Sequence, residues 1–372
     1  MTAPLTVYVD FKSPYAYLAI EPTRQMAKEL GIEIDWRPFV LDIPSYLGSA
    51  RLDSAGKVVK QQRSDNQWSK VKYAYFDCRR YANLRGITLR GTEKIWDTNL
   101  AAIGMLWAKQ QGDGVLQRYM DGIYTPFWRR ELDVESRSVI GAVLGEAGAM
   151  LDGFDAFVDG EGAAQNRDLQ LRAFDSGIFG VPTFEVAGER FFGREHLPRI
   201  RWLLQGCDGP APDIAFDILP GSQVTPSDSR LLEVGICRAD PESLLALAPI
   251  MELRDFHGID LRWSELPARQ QRDVDLKDLS RGGRHRRFRV ENRERDWLRY
   301  GVDAPEQVSE KIDAQLAAAG IRLEAERPMT EWQGMASMSG YVGSPMFRLG
   351  KESFVGRQHL PLISARLTAA IH

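Results

Sequence analysis

The chain has 372 residues, a formal charge of −3 and 44% hydrophobic residues. That exceeds one typical domain and suffices to fill two cores. The nearly balanced charge excludes a general affinity for nucleic acid or an anionic membrane, and no apolar run approaches the length of a membrane span.

Residues 5 to 11 (LTVYVDF) are apolar and β-rich, as a buried strand requires. A strand starting at Leu5 leaves no room ahead of it for a signal peptide, so a cytoplasmic location is expected. Ser13-Pro14 then opens YAYLAIEPTRQMAKEL, which has helical spacing; serine is a preferred helix cap and proline is favoured at the first helical position. Gly31 stops the helix and IEIDWRPF reads as a second strand, so a parallel pair with a right-handed crossover is expected. Residues 41 to about 70 form a polar excursion, and residues 70 to 173 read as several helices. VPTFEVAGERFFG reads as a hairpin turning near Ala187-Gly188, and HLPRIRWLLQ as a closing helix. This order is a thioredoxin-type α/β layout. The stretch between its halves, about 41–175, is too long for a loop and is expected to be a helical insertion.

The pattern occurs twice. GIFGVPTF at 177 to 184 recurs as GYVGSPMF at 340 to 347, and Gly193, Arg194, His196, Leu197, Pro198 and Ile200 recur at the same offset as Gly356, Arg357, His359, Leu360, Pro361 and Ile363. Upstream, LTVYVDFKSPYAYLA from Leu5 aligns with LEVGICRADPESLLA from Leu232, matching Pro14 with Pro241, Gly31 with Gly258 and Trp36 with Trp263. Two blocks in the same order predict two thioredoxin-like domains in tandem. The expected bounds are 1–205 for the first domain with its long insertion, 206–230 for a linker and 231–372 for a second domain with a shorter insertion. The linker assignment rests on 14 Gly, Pro, Asp or Ser among 25 residues.

In this layout the reactive group sits between the first strand and the first helix, where helix N–H groups and the dipole favour an anion such as a thiolate. Here that place holds Ser13-Pro14-Tyr15-Ala16. Without cysteines, disulfide exchange at this site is excluded. Ser13 by itself reads as a cap, or as a donor to a thiolate brought by a cofactor. Val181-Pro182 precedes a strand, where a cis proline would present the Val181 backbone to an extended peptide. Glutathione is such a peptide and carries a thiol. The three cysteines, Cys78, Cys207 and Cys237, have no metal-ligand spacing, so no metal is expected. In the second copy Asp240 stands where Ser13 does; a carboxylate caps a helix well but repels a thiolate, so that copy is expected to be structural. Residues 281 to 299 hold eight arginines, but interleaved acids favour a solvated helix over an anion-binding patch. Trp68, Tyr73, Trp96 and Trp107 are either core residues or the floor of an aromatic pocket.

DFKSPYAYLA, KYAYFDCRRYA and GIFGVPTFEVAGERFFGREHL resemble the 2-hydroxychromene-2-carboxylate isomerases and the kappa-class glutathione transferases, over residues 5 to about 204. The resemblance implies a DsbA-like thioredoxin fold with an inserted helical domain. It also implies a glutathione-dependent isomerase or transferase acting on an aromatic-derived or unsaturated electrophile, with glutathione as thiol cofactor or co-substrate. Ser13 would face the sulfur, and Phe11, Pro14, Tyr15, Val181, Pro182, Arg194 and Glu195 would bind the peptide. Where the family carries Trp-Gly-x-Asp-Arg, this chain has Phe192-Gly193-Arg194-Glu195-His196. Dimers are common in the family, so the two copies are expected to form a pseudo-dimer within one chain, open to further self-association. The rival reading is a non-catalytic thioredoxin-like module that binds a peptide or partner.

Overall fold

A computed structural model describes residues 3–52, 58–267, 275, 277–324, 332 and 343–369. Gly340, Tyr341 and Val342 of the repeated segment lie outside the described residues. The chain packs as two compact units, one of residues 1–62 and 78–211, the other of residues 63–77 and 212–372.

The first unit is built on β1 (Leu5–Val9), α1 (Pro14–Leu30) and β2 (Ile34–Pro38). β1 lies parallel to β2 and antiparallel to β5 (Thr183–Val186), and β6 (Glu189–Phe192) completes a sheet ordered β2-β1-β5-β6. A central strand has neighbours on both edges and elements on both faces, which is why β1 is almost continuously apolar. Leu5, Val7 and Val9 are buried with Trp36, Phe184 and Phe191. Each such side chain contributes about 1.5–3 kcal/mol by leaving water. Ser13 caps α1, Pro14 occupies its first turn, and Gly31 ends it in the left-handed region at φ 64°, its N–H returning to Ala27 and Lys28. β5 and β6 are joined by Ala187 and Gly188 at φ 51° and 78°, the two-residue turn whose twist suits a hairpin.

Between β2 and β5 run α2 (Ile43–Leu47), the short hairpin β3 (Ala50–Leu52) and β4 (Val58–Gln61), and α3 (Asp65–Leu84). They are followed by α4 (Asn99–Gln110), α5 (Asp113–Trp128), α6 (Arg137–Glu146), α7 (Phe154–Asp159) and α8 (Glu161–Asp175). α4 packs against α5, α6, α7 and α8. A side chain at Gly104 would collide with the buried Tyr119 hydroxyl, so glycine is what lets α4 and α5 approach. That hydroxyl donates to Ala101 O at 2.8 Å. α9 (Leu197–Leu204) closes the unit.

The second unit has β7 (Leu231–Ile236), α10 (Pro241–His257), β8 (Asp260–Glu265), α11 (Arg281–Arg299), α12 (Val308–Ala318), β9 (Met346–Leu349), β10 (Glu352–Val355) and α13 (Leu360–Thr368). Its sheet is ordered β10-β9-β7-β8, with β7 parallel to β8 and antiparallel to β9. Asp240 caps α10 and Gly258 ends it at φ 56°. Pro22 inside α1 and Pro249 inside α10 hold equivalent places.

Two segments group differently from the expected bounds. Residues 63–77, expected within the first domain, belong to the second unit. The Tyr73 ring packs with Cys237, Leu266, Trp332, Met346 and Val355, and its hydroxyl accepts from Val355 N at 2.9 Å. Much of the expected linker is docked: Phe216 N donates to Gln358 O at 2.8 Å, its ring meets His359 edge-on, and Ser227 N donates to Arg366 O at 3.1 Å. Its composition suppresses helix and strand, yet leaves backbone groups free to bond to the unit it crosses. Among the described residues no helix is long and apolar enough to cross a membrane.

Candidate functional site at the start of α1

The end of β1, the first turn of α1 and the loop before β5 meet in the first unit. The Ser13 side chain accepts from Ala16 N at 3.2 Å and donates to Val181 O at 3.5 Å, so its proton is only loosely committed. Ser13 is 4% exposed and Val181 5%. The Val181–Pro182 bond is cis. Val181 N makes no hydrogen bond among the described residues, so this backbone edge keeps a donor for an extended peptide.

The other expected contact residues fall into three settings. Pro14 and the partly exposed Tyr15 form the first turn of α1. Phe11 is buried against Tyr124 at 4.8 Å and Tyr119 at 6.0 Å, and Tyr17 stacks on Tyr124 at 5.1 Å with the rings 3° apart. Arg194 is 1% exposed, with its guanidinium 4.4 Å from the Tyr81 ring centroid. That places Arg194 inside the unit rather than on an open binding edge. Glu195 is partly exposed and folds its carboxylate over Gly193, whose φ of 110° suits glycine. Trp68 and Tyr73 belong to the second unit. Trp96 packs on Phe127, and Trp107 on Phe154 and Phe157. Within the first unit, Trp96 and Trp107 therefore pack on different aromatic partners.

Sequence reasoning missed Asp10 and Lys12. Both are buried beside Ser13: Thr98 Oγ1 donates to Asp10 Oδ1 at 2.6 Å, Leu41 N to Asp10 Oδ2 at 2.7 Å, and Lys12 Nζ to Trp96 O at 3.2 Å. The available signal was two charges within DFKSP, at the end of an otherwise apolar strand.

The second unit carries the same frame with different chemistry. Ser344–Pro345 is cis, Ser344 Oγ donates to Asp240 Oδ2 at 2.7 Å, and Asp240 Oδ1 accepts from Glu242 N at 3.1 Å. Here the carboxylate stands on the helix and the hydroxyl on the loop. Glu242 accepts from Trp297 Nε1 at 3.0 Å and pairs with Arg357. Burial pushes the Glu242 carboxyl up, with Arg357 pulling it back. Burial likewise pushes Asp296 from an ordinary 3.8 to about 7, against Arg299, with Glu242 adding to the rise and Arg295 and Arg357 opposing it. Asn292 Nδ2 donates to Asp296 at 2.8 Å.

Between those two values the folded chain holds a proton on Asp296 that the unfolded chain has released. This group's contribution is therefore full below the ordinary value and is lost as pH rises to about 7. Within that window it lowers stability by at most about 1.4 kcal/mol per pH unit. Asp296→Asn is expected to flatten this part of the pH profile of thermal unfolding. An unchanged slope in the variant would show that Asp296 does not titrate there.

Among the described residues no three His, Cys, Asp or Glu side chains are grouped to hold a metal.

The chain is 26% identical over 200 residues to a 2-hydroxychromene-2-carboxylate isomerase of Sphingobium xenophagum, covering 53% of this chain and 95% of that protein. It is 25% identical over 191 residues to one of Pseudomonas putida, covering 51% and 88%. A solved 2-hydroxychromene-2-carboxylate isomerase aligns with a TM-score of 0.41 at 21% identity, covering 52% of this chain and 90% of that one. A probable DsbA oxidoreductase from Streptomyces coelicolor aligns with a TM-score of 0.43 at 17% identity, covering 60% and 100%. The family model of the DSBA-like thioredoxin domain matches residues 4–205, the span that holds β1, α1, the helices after β2 and the Val181–Pro182 loop. By that match over more than half its length, the chain belongs to the DSBA-like thioredoxin family.

Proposed function

We propose that this chain is a glutathione-dependent isomerase or transferase acting on an aromatic-derived electrophile. The observation that carries the reading is the juxtaposition of a hydroxyl at the α1 N-cap with the Val181 carbonyl, in a site lacking both cysteines of a disulfide oxidoreductase. The names of its relatives support isomerisation. The residues fit the cofactor: Val181 keeps an unbonded N–H among the described residues, and its carbonyl accepts only a long bond from Ser13.

Glutathione, when bound, supplies a thiol nucleophile that can add to an unsaturated carbon and leave again. Val181 would hold the peptide backbone as an added strand is held. Ser13 would turn its proton from Val181 O to the sulfur and favour the charged form, aided by the N–H groups and dipole of α1. Pro14 and Tyr15 would border the bound peptide. Glu195, partly exposed, would face its amine end.

The two offset-matched blocks and the same strand order support a further proposal, a tandem duplication whose second copy has lost the serine. Burial of Ser13 favours the rival in which that serine is a cap and the groove holds a partner peptide.

Titration calorimetry of the full chain with glutathione, and with S-methylglutathione as control, tests the reading. The expected result is one saturable site per chain that weakens when the thiol is blocked. No heat at millimolar glutathione would remove the enzyme reading and leave the binding module.

A further inference from the structure

Helix α10 of the second unit carries an apolar face where its counterpart α1 carries charge. At the offset that matches Trp36 with Trp263, Glu21 and Arg24 of α1 become Ala248 and Met251 of α10. Glu21 is exposed and Arg24 pairs with Asp121 at 2.6 Å, so in the first unit these positions meet water and an acid. Trp36 is fully buried there, α4 packs on β2, and Lys109 Nζ donates to Trp36 O at 2.8 Å. In the second unit the chain between β8 and β9 is shorter than that between β2 and β5, and α12 packs on α10.

What remains between α10, β8 and the end of α12 is an open cleft of about 360 Å³, a volume typical of small-molecule sites. Leu247, Met251, Leu316 and Ile321 form its apolar walls, and none of the nine residues lining it is charged. An ionised ligand would find no partner for its charge, so the lining selects against acids and amines. Only Gln315 and Trp263 supply polar side-chain groups. Gln315 is exposed and keeps its water. Trp263 is 5% exposed, and its indole N–H makes no hydrogen bond among the described residues. Unlike the N–H of Trp36, it is not sealed from solvent. An acceptor placed against that donor in an otherwise apolar cleft adds a hydrogen bond that a pure hydrocarbon cannot make.

We infer that this cleft binds an uncharged, largely apolar small molecule carrying one hydrogen-bond acceptor, which Trp263 meets. The site is built wholly within the second unit, uses no residue of the Ser13 site and needs no thiol. It gives the second unit a ligand of its own, where its sequence predicted a structural copy.

Titration of the full chain with prodan, an uncharged naphthyl ketone whose emission moves to the blue as it leaves water, tests this. Saturable, blue-shifted binding is expected. 2-Acetylnaphthalene is expected to displace the probe about 3- to 10-fold better than 2-ethylnaphthalene, the scale of one hydrogen bond. It should outcompete 2-naphthoate by at least about tenfold, because the cleft offers a carboxylate no cation. Met251→Glu sets a charge at a partly exposed wall position, and Ala318→Trp fills the cleft from an exposed one. Each should weaken prodan by at least about tenfold with thermal unfolding little changed. Trp263→Phe should remove only the advantage of the ketone over the hydrocarbon. No saturable binding, or binding that both cleft variants leave intact, overturns the inference. So does equal displacement by ketone and hydrocarbon in the wild type, whatever Trp263→Phe does, or stronger displacement by the naphthoate.

Discussion

Ser13→Ala is expected to raise the pKa of bound glutathione toward the ordinary thiol value near ~8.5 and to cut turnover by about 10²–10³-fold, the usual cost of removing one fixed donor to developing charge. The proposed peptide clamp at Val181 is untouched, so binding of glutathione should change far less than thiolate formation. The substitution also removes a helix cap, worth typically ~1 kcal/mol, so stability alone cannot identify the role. Ser13→Asp separates the two. Aspartate caps well, as Asp240 does on α10, where its side chain accepts from Glu242 N. It would therefore keep α1 while setting a negative charge against the sulfur. The readout is the ultraviolet absorbance of the thiolate against pH in the complexes of wild type and both variants. If Ser13→Asp titrates like the wild type, Ser13 is a cap and nothing more.

Arg357→Met is expected to destabilise the second unit by about 1–3 kcal/mol, because it strips the partner from the partly buried Glu242 carboxyl and from the exposed Asp213. Arg357 is 1% exposed. Its Nε and one terminal nitrogen hold Asp213 at 2.9 to 3.1 Å, the other pairs with Glu242, and the guanidinium lies 5.2 Å from the Tyr300 ring centroid. Against a usual domain stability of about 5–15 kcal/mol this is a large share. The residue left behind matters more than the pair's own net value: adding Glu242→Gln to Arg357→Met should recover part of the loss, since one stranded charge goes. Urea unfolding of the single and double variants measures both. A loss under about 1 kcal/mol for Arg357→Met would place this pair with solvent-screened surface bridges.

The elements that sequence determined are those whose information is local. The apolar run of β1, the Ser13-Pro14 opening of α1, the stop at Gly31 and the Ala187-Gly188 turn each need only a few neighbouring residues to specify them, and each forms where its residues predict. The offset repeats likewise pointed to paired sheet arrangements, because alternation and capping recur with the residues that cause them.

Tertiary structure alone decided what distant segments bring together. Ser13 meets Val181 across 168 positions, Lys12 meets Trp96 across 84, and Arg357 meets Asp213 across 144. Nothing in DFKSP shows that Asp10 is met by Thr98 and Leu41 while Lys12 pairs with Asp10 and donates to Trp96 O. The same limit applies to Arg194, which a motif would place against a ligand and the fold buries over Tyr81. It applies again to residues 63–77, read as the end of a polar excursion and the start of a helix but grouped by the packing of Tyr73 with Cys237, Trp332 and Val355. Local periodicity specifies which face of an element is apolar. Which other face covers it is set by chain closure and by the search for burial and hydrogen-bond partners across the whole sequence, and no short window contains that choice.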